Sequence, residues 1–244
     1  MKLLFMICIL PIYCFSQTCI VALKSKDRIV VGGESRVAFS GINTLTGQVV
    51  EKYEDSICKI VTGKNINFAI SGFPGVKLLR FGRNILNDTV SFQQFEDRYM
   101  RGALEIVKKS FDNEIQILNG VFDNKYPTES VLTDIILFGR ENDSLKMIRL
   151  SLVLRKGNNN LRFFEWYNDT LKDTLISGET KELEYNNKNI LYDNNTWKNG
   201  TIKGIEYIIN YVHTLHPTHV GGPINIVEVT KRKTKWIGKK PPCY

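Results

Sequence analysis

The amino-acid sequence predicts a single α+β domain in which two β-sheets pack against each other and helices cover their outer faces. Segments typical of strands and of helices follow one another in the order strands, helix, strands, helix, strands, which this architecture would produce. The composition, 43% hydrophobic and 24% charged residues, is that of a globular domain with a full core. No internal repeat is visible, so we expect residues 18–244 to form one domain.

The first block of strands contains two hairpins. Residues 19–23 and 28–31 are rich in β-branched residues and are separated by a polar turn, which predicts an antiparallel pair. Residues 57–62 and 66–71 form a second pair around a Gly-Lys-Asn turn. Residues 40–55 are mainly polar, and we interpret them as an insertion between the hairpins.

Two helices are predicted from apolar residues at helical spacing. Such residues recur between positions 92 and 107 and again over 202–215, where Pro217 follows the end of the pattern. The Asn-rich residues 185–199 predict a loop. The remaining strands are predicted at residues 131–138, 147–154, 161–166, 224–229 and 235–237.

The amino terminus has the pattern of a secretory signal peptide. A basic start, an apolar run over residues 3–15 and the polar pair Ser16 and Gln17 follow the usual order of its three regions. We expect residues 1–17 to be removed and the protein to be exported, to the periplasm or the extracellular space. A cut after Ser16 also fits and would leave Gln17 to be trimmed. The run is shorter than the roughly 20 residues of a spanning helix, so no membrane anchor is expected after removal of the leader.

Charge and cysteine content argue against several classes of function. The formal net charge is +8, but basic and acidic residues are interspersed, which favours a solvated basic surface over a nucleic-acid interface. Cys19, Cys58 and Cys243 follow the leader, and three cysteines allow at most one disulfide among themselves. No Cys-x-x-Cys motif occurs, and Pro217 interrupts any helix that could carry the three histidines, so no metal is expected.

Thr18 would be the first residue of the mature chain, and this position can activate its hydroxyl. A threonine hydroxyl is a weak nucleophile unless a base takes its proton, and the α-amine of the same residue, with a pKa of about 7.7–8.0, can be that base. Lys59 lies in an apolar run and could place a cation beside the hydroxyl, with Glu34 and Arg36 to orient and balance it. A structural interpretation also fits, in which Thr18 opens an edge strand and Lys59 extends to solvent. Glu34 and Arg36 would then form an exposed ion pair.

Residues 18–36, TCIVALKSKDRIVVGGESR, resemble the start of a proteasome β-type subunit, a threonine peptidase of the N-terminal nucleophile hydrolase family. In that family a leading threonine opens a strand, a turn follows, and a second strand ends in two small residues before Asp-Ser-Arg. Residues 58–60 resemble the segment with the catalytic lysine, and residues 69–72 resemble the stretch whose amides form the oxyanion hole. Residues 219–226 are similar to the family's Gly-Gly followed by a strand.

The resemblance implies a fold, an activity and a site. The fold is a four-layer αββα sandwich, and the activity is that of a threonine-type endopeptidase that acts on peptides through an acyl-enzyme without a cofactor. Hydrolysis of small amides, or a catalytically weak or non-enzymatic scaffold or binding subunit, are the alternatives. The family also implies further copies of the chain as partners. The implied site comprises Thr18, Glu34 and Lys59 as catalytic residues, Arg36 and Ser177 as supporting residues, and the amides of Gly72 and Phe73 as oxyanion donors.

The chain also departs from the family pattern. Glu34 replaces the usual aspartate, and Pro217 and Val220 occupy the positions of an auxiliary aspartate and serine. Cys19 is an alternative nucleophile, because thiols are intrinsically more nucleophilic than hydroxyls. Starting the mature chain at Cys19 would shift every later match by one residue and turn the nucleophile to the opposite face of the strand, so Thr18 is favoured.

Overall fold

The computed structural model describes residues 9–15, 18–43, 49–88, 91–117, 129–157, 162–171, 173–178 and 190–238. The helices in these ranges are α1 (Gly75–Leu86), α2 (Phe92–Ile117), α3 (Asn194–Trp197) and α4 (Thr201–Leu215). The strands are β1 (Ile9–Phe15), β2 (Cys19–Lys24), β3 (Arg28–Glu34), β4 (Val37–Asn43), β5 (Val49–Glu54), β6 (Ile60–Thr62), β7 (Ile66–Gly72), β8 (Glu129–Glu141), β9 (Ser144–Lys156), β10 (Arg162–Thr170), β11 (Thr174–Gly178), β12 (Ile224–Thr230) and β13 (Thr234–Ile237).

Ten strands form two antiparallel five-stranded sheets, and three form a smaller sheet. The first sheet has the order β11-β2-β3-β12-β13, the second has the order β10-β9-β8-β7-β6, and the small sheet has the order β1-β4-β5. In the first sheet Ile20 lies opposite Gly33. This register brings the start of β2 beside the end of β3, where Glu34 lies.

A hydrophobic cluster joins the two five-stranded sheets. Ile20 and Val31 of the first sheet belong to one buried cluster with Ile60, Ala69 and Ile136 of the second sheet or its edge. Successive side chains of a strand point to opposite faces, so the residues between them face away from this interior. The two sheets therefore share one core.

Helices pack on the other faces of these sheets. Leu78 of α1 and Phe95 and Tyr99 of α2 belong to a buried cluster with Phe68 and Leu150 of the second sheet. The isoleucine-rich stripe of α4 packs on the first sheet in a separate cluster. This stripe is the apolar face that the spacing of residues 202–215 predicted.

The predicted four-layer αββα sandwich is wrong, because the chain is mostly β with two antiparallel sheets and few helices. Among the described residues there are thirteen strands and four helices, and α3 is only four residues long. β8 and β9 are each 13 residues long and thus exceed the predicted strands 131–138 and 147–154. Their ladder continues to Glu129 and Glu141, so paired backbone extends well past the apolar runs from which the prediction was made.

No strand was predicted within residues 40–55, but the structure contains paired strands in this segment. β4 and β5 pair with each other across most of this segment, and β1 pairs with β4 on the other side. Pairing satisfies backbone N–H and C=O groups even where the side chains are polar. The small sheet is the result, and the predicted architecture did not contain it.

Individual elements were predicted with mixed success. Both early hairpins are confirmed as β2-β3 and β6-β7, and the apolar pattern over residues 92–107 lies in α2, which extends to Ile117. The prediction missed α1 altogether, and α3 lies inside the predicted loop 185–199, of which residues 190–199 are described. Residue 161, the predicted start of β10, lies outside the described ranges.

β1 lies inside the predicted leader, residues 1–17. It runs antiparallel to β4, with Phe15 opposite Ala38, three positions before the described chain resumes at Thr18. None of the described helices is long and apolar enough to cross a membrane.

Candidate active site

The fold brings Thr18, Glu34 and Lys59 together. Thr18 immediately precedes β2, Glu34 ends β3, and Lys59 immediately precedes β6 on the opposing sheet. The exposed fraction is 0% for Thr18, 1% for Glu34 and 3% for Lys59. Three polar side chains from two sheets therefore meet in a site closed to solvent.

The amine of Lys59 is the centre of this arrangement. Its Nζ contacts Thr18 Oγ1, lies 2.7 Å from Glu34 Oε1, and also contacts the backbone carbonyl of Arg36. A lysine ammonium has three N–H donors and no acceptor. Three acceptors surround it here, so the geometry fits a protonated lysine that donates to the threonine hydroxyl.

Glu34 uses both carboxylate oxygens. Oε1 pairs with Lys59, while Oε2 accepts the backbone N–H of Arg36 at 2.5 Å and that of Gly221 at 3.3 Å. Burial raises the pKa of Glu34, and the charge of Lys59 opposes this shift. Burial likewise lowers the pKa of Lys59, and Glu34 opposes that shift. Each charge thus depends on the other for its stability inside the protein.

Arg36 contributes its carbonyl to the site and directs its side chain elsewhere. The guanidinium donates from Nε to Asp55 Oδ1 at 2.6 Å and from Nη2 to Oδ2 at 2.8 Å, and Nη1 donates to the carbonyl of Pro217. These hydrogen bonds lower the pKa of Asp55. Sequence reasoning missed Asp55, which follows β5 in the segment that had been interpreted as an insertion.

Ser177 lies next to a close contact between β11 and Thr18. Gly178 has φ +105°, and a Cβ at this position would lie 1.4 Å from the carbonyl oxygen of Thr18. The Ser177 hydroxyl donates to Asp134 Oδ2 at 2.7 Å and lies 2.6 Å from Ser71 Oγ. Sequence reasoning identified Ser177 but missed Asp134 and Ser71, whose pairing across strands leaves no local signal.

The two predicted oxyanion donors differ in their surroundings. The amide of Phe73 donates to the carbonyl of Leu132 at 2.7 Å, so it is already used in this structure. Gly72 has φ +96°, and a Cβ there would lie 2.2 Å from the Leu132 carbonyl oxygen. A side chain is therefore excluded at Gly72, where the chain turns out of β7.

No protein-family model matches the chain, and no curated protein gives a significant match. The family membership inferred from residues 18–36 therefore stays a prediction.

The thiol of Cys19 lies on the far side of β2 from Thr18. It belongs to the buried cluster that contains Ile205 and Ile208 of α4, and it is not part of a disulfide. Burial raises the pKa of this thiol, chiefly because the thiolate would be desolvated. Cys58 is disulfide-bonded, and Cys243 lies outside the described residues.

Pro217 and Val220 have structural roles. Pro217 holds Arg36 through its carbonyl, and Val220 is fully buried in the cluster under α4. The carbonyl of Val220 also contacts Nδ1 of His213. The described residues contain no group of three or more His, Cys, Asp or Glu side chains that could bind a metal ion.

Proposed function

We propose that this protein is an exported threonine-type amide hydrolase, acting most readily as an endopeptidase, with Thr18 as its amino-terminal nucleophile. The observation that carries the proposal is the contact of the Lys59 amine with the Thr18 hydroxyl, while Glu34 balances the charge at 2.7 Å. A buried ion pair is costly to maintain, and replacing it with apolar residues often stabilises a protein. A catalytic role for the Thr18 hydroxyl explains why the chain keeps the buried ion pair of Lys59 and Glu34.

The reaction follows from the groups present. Removal of residues 1–17 turns the backbone nitrogen of Thr18 into an amine whose pKa lies near neutrality, at about 7.7–8.0 in the unperturbed state. The amine, directly or through water, takes the hydroxyl proton as Oγ1 attacks the substrate carbonyl. The Lys59 ammonium stabilises the negative charge that develops on Thr18 Oγ1 as the proton leaves. Transfer of the proton to the leaving amine gives an acyl-enzyme, and water activated by the same amine releases the acid.

Peptide substrates are favoured by the course of β1. The residues before Thr18 run antiparallel to β4, and Phe15 lies opposite Ala38. When the leader leaves, the edge of β4 loses this partner and exposes its N–H and C=O groups beside the new amino terminus. An extended peptide can add to such an edge through main-chain hydrogen bonds. A peptide in that position would present its amide bonds to Thr18.

Turnover by the mature protein tests the proposal. Exported protein is purified and assayed with a panel of fluorogenic peptides and small acyl amides, next to the variant Thr18→Ala. Thr196→Ala is the matched control, because Thr196 is also buried, at 6% exposed, but lies in α3. We expect hydrolysis to be lost in Thr18→Ala and kept in Thr196→Ala. Cleavage of the small amides alone would select the alternative substrate class.

A catalytically weak or non-enzymatic scaffold is the second candidate. It is favoured by Pro217 and Val220, which place a carbonyl and a buried valine where the predicted family has an auxiliary aspartate and serine. Equal background hydrolysis by the wild type, Thr18→Ala and Thr196→Ala would select this candidate.

A further inference from the structure

The buried carboxylate of Asp134 is the centre of a polar network that the proposed mechanism does not use. Asp134 lies on β8 and is 5% exposed. Oδ1 accepts from Ser151 at 2.5 Å and Oδ2 from Ser177 at 2.7 Å. Arg149 donates to the same two oxygens at 3.0 and 2.7 Å. Three side chains make four hydrogen bonds to this carboxylate, two of them from the cationic Arg149, and together they hold it in a single orientation.

The network fixes the direction of the hydrogen bond between Ser71 and Ser177. A carboxylate only accepts, so the single hydroxyl proton of Ser177 points to Asp134. The Ser71 hydroxyl, at 2.6 Å, must then donate to Ser177 Oγ. The carbonyl of Ser71 accepts from Thr133 Oγ1 at 2.8 Å. Ser71 is thus held through its side chain and through its backbone.

This hydrogen bond joins the two strands that adjoin Thr18 and Lys59. Ser177 precedes Gly178, which packs against the Thr18 carbonyl so closely that an added Cβ would lie 1.4 Å away. On β7, the residue before Ser71 is Ile70, whose amide donates to the carbonyl of Lys59 at 3.1 Å. The Ser71–Ser177 hydrogen bond therefore connects β11, which packs against Thr18, with β7, which is hydrogen-bonded to Lys59.

We propose that Asp134 is a positioning residue for the Thr18 site and acts through Ser177 and Ser71. The inference rests on the proposed function, and it assigns a role to a residue that no sequence motif indicated. Pro217 occupies the position at which the family resemblance implied an acidic residue near the nucleophile. Asp134 supplies a buried carboxylate from the opposite sheet.

The first test is a double-mutant cycle. Asp134→Asn keeps the size of the side chain but places an amide N–H₂ among donors. We expect it to lower kcat about tenfold to a hundredfold with little change in KM, the range expected for a lost hydrogen bond to a charged group. Ser177→Ala should lower kcat similarly, and the double variant should be no slower than the slower single variant. Losses that multiply in the double variant would overturn the proposed route through Ser177.

Glu228→Gln is the matched control. Glu228 is 7% exposed on β12 and pairs with Arg28 at 3.3 Å and Lys235 at 2.8 Å, so the substitution also removes a buried, paired carboxylate from a sheet. Neither of these two partners of Glu228 belongs to the Asp134 network. We expect its kcat to stay within about twofold of the wild-type value, the size of effect typical of a substitution away from such features.

A second test does not depend on activity. The Phe73 amide donates to Leu132 directly after the Ser71–Gly72 step, so its hydrogen exchange reports how firmly this strand end is held. We expect faster exchange in Asp134→Asn and in Ser177→Ala than in the wild type or Glu228→Gln. Unchanged exchange in folded Asp134→Asn would overturn the proposal. If Asp134→Asn does not fold, unchanged exchange in Ser177→Ala has the same consequence. A wild type that hydrolyses nothing would instead refute the proposed function, and the exchange comparison would still decide the role of Asp134.

Discussion

The amine of Lys59 contacts the hydroxyl of Thr18 although 41 positions separate the two residues in the sequence. Thr18 comes from the first sheet and Lys59 from the edge of the second, so the contact forms only when the two sheets pack. Glu34, at the end of the strand next to β2, completes the charge balance. The site is therefore a product of the tertiary fold, and its disruption should affect both stability and chemistry.

Lys59→Ala should destabilise the protein as well as inactivate it. The substitution leaves the Glu34 carboxylate buried without its cation, a change that costs about 3–5 kcal/mol in comparable cases. The double variant Lys59→Met with Glu34→Gln, which removes both charges, should recover much of the free energy of unfolding but none of the turnover. Urea unfolding and peptide hydrolysis measure the two effects.

Lys235→Ala is the matched control for the lysine. Its amine pairs with Glu228 at 2.8 Å, but its side chain is 47% exposed. Exposed pairs contribute about 0–1 kcal/mol, so we expect a small loss of stability and unchanged turnover. If Lys59→Ala were as stable as Lys235→Ala and fully active, the buried ion pair would have no catalytic role.

The raised pKa of Glu34 predicts how stability depends on pH. Below the unfolded value of 4.5 the carboxyl is protonated in both states. As pH rises past that value the unfolded chain releases its proton first, so Glu34 lowers the free energy of unfolding until the folded pKa is passed. Glu34→Gln removes this dependence, and urea unfolding of wild type and variant across that window measures the difference.

Asp55→Asn is a control, because the contribution of Asp55 to stability depends on pH in the opposite direction to that of Glu34. The Arg36 guanidinium lowers the pKa of Asp55, so this carboxylate stabilises the protein above 3.8 and loses that contribution as pH falls through its folded pKa. The effect should be small, because the Asp55 side chain is 44% exposed. A wild type that gains stability relative to Glu34→Gln as pH rises above 4.5 would contradict the raised pKa of Glu34.

Gly178→Ala should disrupt the site more than a backbone effect alone explains. Its φ of +105° is unfavourable for alanine, and the new Cβ would overlap the Thr18 carbonyl. Gly200 is the matched control, because it has φ +92° with nothing within 4 Å of an added Cβ. Gly200→Ala should cost about 1–3 kcal/mol from strain and keep turnover. Gly178→Ala should cost more and lose turnover, and equal behaviour of the two variants would remove Gly178 from the site.

Cys19→Ala should leave catalysis intact. The thiol faces the α4 cluster and its pKa is raised by burial, so it cannot reach a substrate bound at Thr18. Turnover and covalent labelling by an epoxyketone probe, measured on the mature variant, should match the wild type. Loss of labelling in Cys19→Ala together with its retention in Thr18→Ala would reassign the nucleophile.

The proximity of Thr18 and Glu34 could be predicted because both residues lie on one hairpin. The position of Lys59 beside them was inferred from its apolar surroundings and from the family resemblance. The small sheet could not be predicted. The pairing of β4 with β5 joins backbone groups, and the mixed polar and apolar sequence of these strands lacks the alternation typical of a strand. Asp134 was missed for a related reason, since its partners Ser151 and Ser177 become neighbours only through strand pairing and sheet packing. The amide of Phe73 was predicted to be an oxyanion donor, but in the structure it donates to the carbonyl of Leu132.

The most direct test is to map the residue that carries the probe. Exported protein is treated with an epoxyketone or β-lactone, and the intact mass, the amino-terminal residue and the modified peptide are determined by mass spectrometry. We expect a mature chain that begins at Thr18 and carries one adduct on that residue. Acetylation of the amino terminus before treatment should abolish the adduct, because the base is removed. A stable amino terminus at Gln17 or downstream of Cys19, or an adduct on Cys19, would contradict the account.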